Sequence, residues 1–333
     1  MSRNLAIAGV TGAVGQEFLK ILKQRDFPFD SLKMLASSRS AGKKIEFKGK
    51  KYIVEQLTKN SFERIDIALF SAGAARSKEF APAAAEAGTV VVDNSSAFRM
   101  DPDVPLVIPE INPEQIQKHK GIIANPNCST IVGIVPVWPL HKANPVKRMV
   151  ISTYQAASGA GYSAMLELES QTRQILDGKE PTCKAFPYQI AFNVFNHNSD
   201  LDATGYNLEE VKMVKETRKI FDCPDIAITC TCIRIPVFRA HCESINLEFA
   251  DPITPNQVRD LLSTAPGVSL IDDREHNRFP MPIDATGKDD VFVGRIRQDE
   301  SIPDNRGINL WVAGDQLRKG AALNAVQIAE KLL

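Results

Sequence analysis

A cysteine set between a strand-like run and a helix-like run is the first place in this sequence where chemistry is legible. Gly121-Ile122-Ile123-Ala124 reads as a buried strand, and Asn125-Pro126-Asn127 then turns the chain, because proline fixes its own φ and keeps the residue before it extended. Cys128 follows, with Ser129 and Thr130 as polar entry residues to an apolar helix, Ile131 to Val135. A thiol there meets the unpaired amides of a helix start, a setting that favours the reactive thiolate. The plain alternative is a buried cysteine acting as a small hydrophobe. Pro136 and Pro139 imply that the helix is short or kinked. Far downstream, a strand over Ile226–Ile233 is interrupted by Arg234-Ile235-Pro236 and resumes after His241, over Ser244–Phe249. Proline is excluded from central ladders, so the interruption reads as a break that aims side chains at a site. Zinc on Cys230, Cys232, His241 and Cys242 is the competing idea, but those spacings match no familiar zinc pattern and no metal is expected.

The second chemical signal is at the N-terminus. Leu5–Ala8 is a buried-strand signature, Gly9-Val10-Thr11-Gly12-Ala13-Val14-Gly15 follows at once, and Val14, Phe18, Ile21 and Leu22 then share one helical face. A glycine loop between a first strand and a first helix lets backbone approach a pyrophosphate at the helix N-terminus. The spacing is G-x-x-G-x-x-G rather than G-x-G-x-x-G, so a purely structural turn stays open. The next strand, Leu32–Ala36, ends in Ser37-Ser38-Arg39-Ser40, with no acidic residue to hold a ribose 2′-hydroxyl. Arginine suits a 2′-phosphate, so NADP is expected, against the alternative of a solvated basic loop.

The elements that must hold these residues imply an α/β chain of two domains. At 333 residues the chain exceeds the usual single-domain size. Strands at 65–70 and 89–92, separated by a helix-like Phe80–Ala87, argue an N-terminal Rossmann-type parallel sheet. Arg99 follows the last of these strands, either as an anion ligand or as a surface arginine. From about Cys128 the pattern becomes that of an α+β domain: an alternating strand over Val150–Ala157 runs into Ser158-Gly159, with a helix at Ser163–Leu176 and another at Asn207–Phe221. Glu209 and Lys212 share one face of the latter, by default as a surface salt bridge. Residues 181–206 are loop-rich. A strand at Ile308–Ala313, a Gly314-Asp315 turn and a closing helix Gln316–Leu333 complete the chain, giving domains 1–127 plus 316–333, and 128–315. Forty basic residues balance forty acidic ones, which argues against recruitment of nucleic acid or an anionic membrane. Six cysteines in a chain this long are no disulfide framework and fit a cytoplasmic location.

Taken jointly, the cysteine turn, the histidine and the glycine loop imply thioester redox chemistry, and here the chain resembles a bacterial-type aspartate-semialdehyde dehydrogenase. The resemblance rests on Gly9–Gly15, Asn125–Thr130, Gln155 to Gly161, Glu209 with Lys212, Arg234 to His241, and Gly314-Asp315-Gln316. It implies that Cys128 is the nucleophile, His241 the acid/base, and that Gln155 orients the thioester. It implies further that Arg234 holds the substrate α-carboxylate and Glu209 faces the α-ammonium, while Arg99, Asn127 and Lys212 receive phosphate. Thr11, Gly12, Ala13, Val14, Arg39, Ser40, Ser158, Gly159 and Gln316 would line the NADP site. The implied activity is reduction of 4-phospho-L-aspartate to L-aspartate 4-semialdehyde, feeding lysine, threonine, methionine and isoleucine synthesis, by a homodimer or homotetramer that pairs through its second domain. Three rivals stand beside it: reduction of N-acetylglutamyl phosphate, a nucleotide-binding paralogue without activity, and a Cys–His acyltransferase or hydrolase, which would not need the glycine loop.

Overall fold

The computed structural model describes residues 3–333. The chain forms two units, one running to Asn127 and resuming from Ala321 to Leu333, the other Cys128–Gly320. The return to the first unit thus falls at Ala321 rather than at the expected 316.

In the first unit Asn4–Ala8 lies inside a six-stranded sheet, in the order Glu55–Gln56, Ser31–Ala36, Asn4–Ala8, Ile67–Phe70, Val90–Asp93, Ile122–Ala124. Every pairing in it is parallel. Parallel strands are covered on both faces, so they read as continuous apolar runs rather than alternating ones, as Leu5–Ala8 and Ile67–Phe70 do. In register, Ala8 stands beside Leu35 and Phe70, Phe70 beside Asp93, and Asp93 beside Ala124. The carboxyl ends of the strands therefore align along one edge of the sheet. Helix Ala13–Gln24 buries Phe18, Leu19, Ile21 and Leu22 on this sheet, and the C-terminal helix Leu323–Glu330 adds Leu323, Val326 and Ile328 to the same core. The alanine-rich helix starts at Ala74, well before the expected Phe80, and carries Pro82 inside it.

The second unit is built on a seven-stranded mixed sheet, ordered Phe195–Asn196, Ala227–Arg234, Val146–Gln155, His241–Phe249, Gly307–Gly314, Val291–Gln298, Val268–Leu270. Against one face lies helix Cys128–Ala143, a single helix of 16 residues despite Pro136 and Pro139. The expected interruption does not occur. Ten of its residues are buried, and burial on that scale offsets the hydrogen bonds the prolines withhold. Helix Leu208–Phe221 opens with a reciprocal cap: Asn207 accepts from the Glu210 amide at 3.0 Å, and the Glu210 carboxylate accepts from the Asn207 amide at 2.9 Å. The closing helix of the chain is Leu323–Glu330, preceded by a wide π turn at Arg318–Ala322.

Candidate active site

Strand register assembles the site. Gln155 and Arg234 are direct partners at the carboxyl ends of two parallel strands. His241 opens the next strand, which runs antiparallel and pairs Cys242 with Tyr154. The break at Arg234–Ala240 is thus the connection that brings a strand end and a strand start to one edge. Ala240, immediately before the histidine, sits at φ +74°, a conformation that a side chain with a β-carbon adopts only where its surroundings impose it. Its amide donates to Gln316 Oε1 at 2.9 Å, and Gln316 Nε2 in turn donates to Ser158 Oγ.

Cys128 is the first residue of its helix, and its Sγ lies 3.7 Å from His241 Nε2. His241 is fully buried, and its Nδ1 accepts from the Ala156 amide at 3.0 Å. With Nδ1 engaged as an acceptor, the neutral ring carries its hydrogen on Nε2, facing the sulfur. Burial pushes its pKa down to about 3; the nearby Arg234 adds to this and Glu209 opposes it. The imidazole is therefore neutral near pH 7 and set up to donate, which argues against the proton-accepting half of the expected acid/base role in the unliganded fold.

Arg234 is buried, donates from Nη1 to the Ala156 carbonyl at 2.9 Å, and lies 5.5 Å from the Phe186 ring centroid. Its Nε has no partner among the described residues, so the guanidinium keeps donor capacity for a ligand. Gln155 takes a hydrogen bond from Thr153 Oγ1 at 3.0 Å and donates to Glu209 Oε1 at 3.3 Å. Lys212 Nζ reaches the other Glu209 oxygen at 3.0 Å, so the pair is part of this cluster rather than an isolated surface bridge. Gly159 lies against the same groups: a β-carbon there would stand 3.0 Å from His241 Cε1 and 3.1 Å from Arg234 Nη1.

Three comparisons bear on this constellation. The family described as "Semialdehyde dehydrogenase, NAD binding domain" matches residues 4–119, and "Semialdehyde dehydrogenase, dimerisation domain" matches 137–319. The "Aspartate-semialdehyde dehydrogenase" of Synechocystis sp. is 56% identical over 329 residues, 99% of this chain and 97% of that protein. The chain belongs to the aspartate-semialdehyde dehydrogenase family. A solved Vibrio cholerae aspartate semialdehyde dehydrogenase II, described as complexed with ASA, is 47% identical with a TM-score of 0.96, covering 100% of this chain and 98% of that one. A Candida albicans aspartate semialdehyde dehydrogenase, described as with NADP, shares the fold at 24% identity and a TM-score of 0.76, covering 100% of this chain and 98% of that one.

As a member of that family the chain is an oxidoreductase, and its first unit is a Rossmann-type dinucleotide-binding domain. A cavity of about 180 Å³ at the carboxyl edge of that sheet is lined by Gly9, Thr11, Gly12, Ser37, Arg39 and Arg76, among others. Gly12 caps helix Ala13–Gln24 with no side chain over the helix amides, and a β-carbon on Gly9 would collide with the Ser71 carbonyl. Helix N-terminus, open glycine face and two arginines fit a phosphate-bearing dinucleotide. Ala13 and Val14 begin the helix, Val14 packing into the core, and Ser40 lies in the short turn Ser38–Ser40 beside Arg39.

Arg99 and Asn127 belong to the first unit, whereas Lys212 belongs to the second. Arg99 donates to the backbone carbonyls of Asn125 at 2.9 Å and Asn94 at 2.8 Å, and Asn127 is buried. Sequence reasoning missed Arg76, which stands in the first turn of the helix that starts at Ala74 and carries no motif. It also missed His197, whose ring burial lowers to about 4 while Glu209 pulls it up and Arg234 and Lys212 push it down. His197 lies in the loop-rich 181–206 stretch, which gave no periodic signal. A larger cavity of about 540 Å³, lined by Asp272, Phe279, Arg295 and Arg297 among others, contains none of the Cys128 cluster. Among the described residues no helix is long and apolar enough to cross a membrane.

Proposed function

We propose that this enzyme reduces 4-phospho-L-aspartate to L-aspartate 4-semialdehyde with NADPH, through a thioester on Cys128. The observation that carries the reading is the 3.7 Å approach of Cys128 Sγ to a buried, Nε2-protonated His241 at a helix start. The thiol gives its proton to solvent, and the neutral Nε2–H stabilises the thiolate. The thiolate attacks the acyl carbon while the C–O bond to phosphate breaks, and the phosphate leaves with the bonding pair and takes up a proton from solvent. When bound, the dinucleotide supplies the hydride that converts the thioester to a tetrahedral thiohemiacetal oxyanion. The sulfur then departs as thiolate, again towards the Nε2–H, and releases the aldehyde. A thiol suits both halves because its thiolate is a strong nucleophile and a good leaving group.

Arg234 is assigned the α-carboxylate, since a planar guanidinium offers parallel donors that an ammonium lacks. Glu209 is assigned the α-ammonium and Gln155 the thioester. Arg99, Asn127 and Lys212 are assigned the phosphate that leaves. Thr11 to Val14, Arg39, Ser40, Ser158, Gly159 and Gln316 are assigned the dinucleotide. Arg39 and Arg76 in one cavity support NADP over NAD. The description of the family that matches 137–319 supports a homodimer or homotetramer paired through the second unit. Cytoplasmic residence fits cysteines that are all free thiols.

The deciding assay is NADP⁺ reduction on adding L-aspartate semialdehyde, with and without inorganic phosphate. Phosphate-dependent turnover that vanishes in Cys128→Ala while NADP⁺ binding persists is the expected result. Turnover with the N-acetylglutamate semialdehyde instead would overturn the substrate, because an N-acetyl group leaves Glu209 no cation to face. Failure to bind either dinucleotide would overturn the redox reading altogether.

A further inference from the structure

Two residues beyond His241, on the same face of its strand, lies a carboxyl group that the reaction above does not use. Glu243 is fully buried, and neither of its oxygens has a hydrogen-bond partner among the described residues. It points at the Cys128 helix: a β-carbon on Gly133 would collide with Glu243 Oε2. Helix and strand therefore touch at two matched places, Cys128 with His241 and Gly133 with Glu243. Two strand residues rise about 6.6–6.8 Å, and five helical residues rise about 7.5 Å, so both contacts are made without slippage. We infer that Glu243 is a positioning residue for the nucleophile: its carboxyl, seated in the notch left by Gly133, sets the register of the Cys128 helix over the His241 strand.

A side chain needed only to fill space would be apolar, because an unsatisfied buried carboxyl costs stability. Burial holds the group well above the usual carboxylate range, so it sits in the notch as a neutral acid. In that form it has one O–H to donate. The groups around it match a neutral acid. Burial holds the Cys230 and Cys242 thiols neutral as well, while Thr153 and Val312 are its cross-strand partners.

The inference rests on Cys128 being the nucleophile, and its test is independent of turnover. The rate of iodoacetamide alkylation at Cys128 is followed by peptide mass spectrometry across pH, with exposed Cys183 as internal standard. In Glu243→Leu the Cys128 rate near pH 7 should fall about 10–100-fold, the penalty expected of a misplaced reacting group. Its pH midpoint should move up while Cys183 is unaffected. Glu243→Gln, which keeps a donor of the same shape, should restore both, and kcat should follow the alkylation rate with KM little changed. Cys128 alkylation in folded Glu243→Leu at the wild-type rate and midpoint would overturn the inference. If that variant fails to fold, Gly133→Ala and Gly133→Ala/Glu243→Ala decide. The single variant should slow alkylation and the double recover part of it, whereas a double no faster than the single refutes the lock. Absence of NADP⁺ turnover in the wild type would sink the proposed function while leaving this readout intact.

Discussion

At the scale of single residues, the hydrogen on His241 Nε2 has consequences for both rate and stability. If the proposed thioester route holds, His241→Ala removes the partner of the departing thiolate, and kcat should fall about 10²–10⁴-fold. A variant with wild-type kcat would take the histidine out of the mechanism. The same burial makes the fold acid-sensitive. The folded pKa of about 3 lies below the ordinary value of 6.5, so the unfolded chain binds a proton that the native state refuses. The contribution of this group is complete above about pH 6.5 and is lost as pH falls towards 3. Relative to His241→Asn, the wild type should therefore lose about 2 kcal/mol between pH 7 and pH 5, measured by urea unfolding. A gap between the two that is independent of pH would mean that the ring takes up its proton in the fold as readily as in the unfolded chain. Cofactor choice belongs to this scale as well. With Arg39 and Arg76 lining one cavity, Arg39→Ala should erode the preference for NADPH over NADH in kcat/KM, and Arg39→Ala/Arg76→Ala should erode it further. Unchanged preference in the double variant would move the 2′-phosphate elsewhere.

The elements explain why some of this was legible in the sequence and some was not. The glycine loop, the cysteine turn and the break at Arg234-Ile235-Pro236 could be read because each rests on local chemistry: a close backbone approach, a fixed φ, a missing ladder donor. The length of the Cys128 helix could not, because Pro136 and Pro139 speak locally while burial of nearly every face decides. The stretch 181–206 carries no period at all. Its backbone is held by side chains of the neighbouring helix: Glu167 accepts from the amides of Lys184 at 2.7 Å and Phe186 at 3.1 Å, and Gln171 from those of Ile190 at 2.8 Å and Ala191 at 3.1 Å. That tether is what places Phe186 against the Arg234 guanidinium. Glu243 was equally invisible, since a carboxylate on an alternating strand looks like a solvent-facing residue until a glycine is found packed on it. Its energetic signature runs opposite to that of His241. With a folded pKa raised well above 4.5, its contribution is complete below about pH 4.5 and is lost as pH rises towards the folded pKa. Glu243→Gln should thus gain on the wild type by about 1.4 kcal/mol per pH unit above that point. Parallel stability curves would show the carboxyl to be ionised in place.

Over the whole molecule, the chain leaves the first unit once and returns to it once, and the two ends of the excursion meet. Within the first unit, Asn125 Nδ2 lies 3.5 Å from the Ala321 carbonyl and Asn324 Nδ2 is 2.7 Å from Asn125 Oδ1. Within the second, a β-carbon on Gly320 would stand 3.0 Å from that of Cys128. Each unit therefore closes on itself at the crossing, the arrangement expected where one compact body is inserted into a loop of another. The cost is that the first unit is incomplete without the last residues of the chain. Leu323, Ala325, Val326, Ile328 and Ala329 are all fully or almost fully buried in the core they share with Phe18, Ile21 and Leu22. Arg25 adds an ion pair to Glu330 at 2.6 Å across the same joint. Full burial of a Leu, Ile or Val side chain is worth about 1.5–3 kcal/mol, so losing this helix removes a sum comparable to the net stability of a small domain. A fragment ending at residue 127 should accordingly lack a cooperative melt and fail to bind NADP⁺. Joining residue 127 to residue 321 by a few glycines and serines should restore both, because the anchors on either side are already in hydrogen-bond contact. Circular dichroism and calorimetric titration of the two fragments make the comparison. Equal NADP⁺ affinity in both would show that residues up to 127 hold the nucleotide cleft on their own and that the C-terminal helix is dispensable to it.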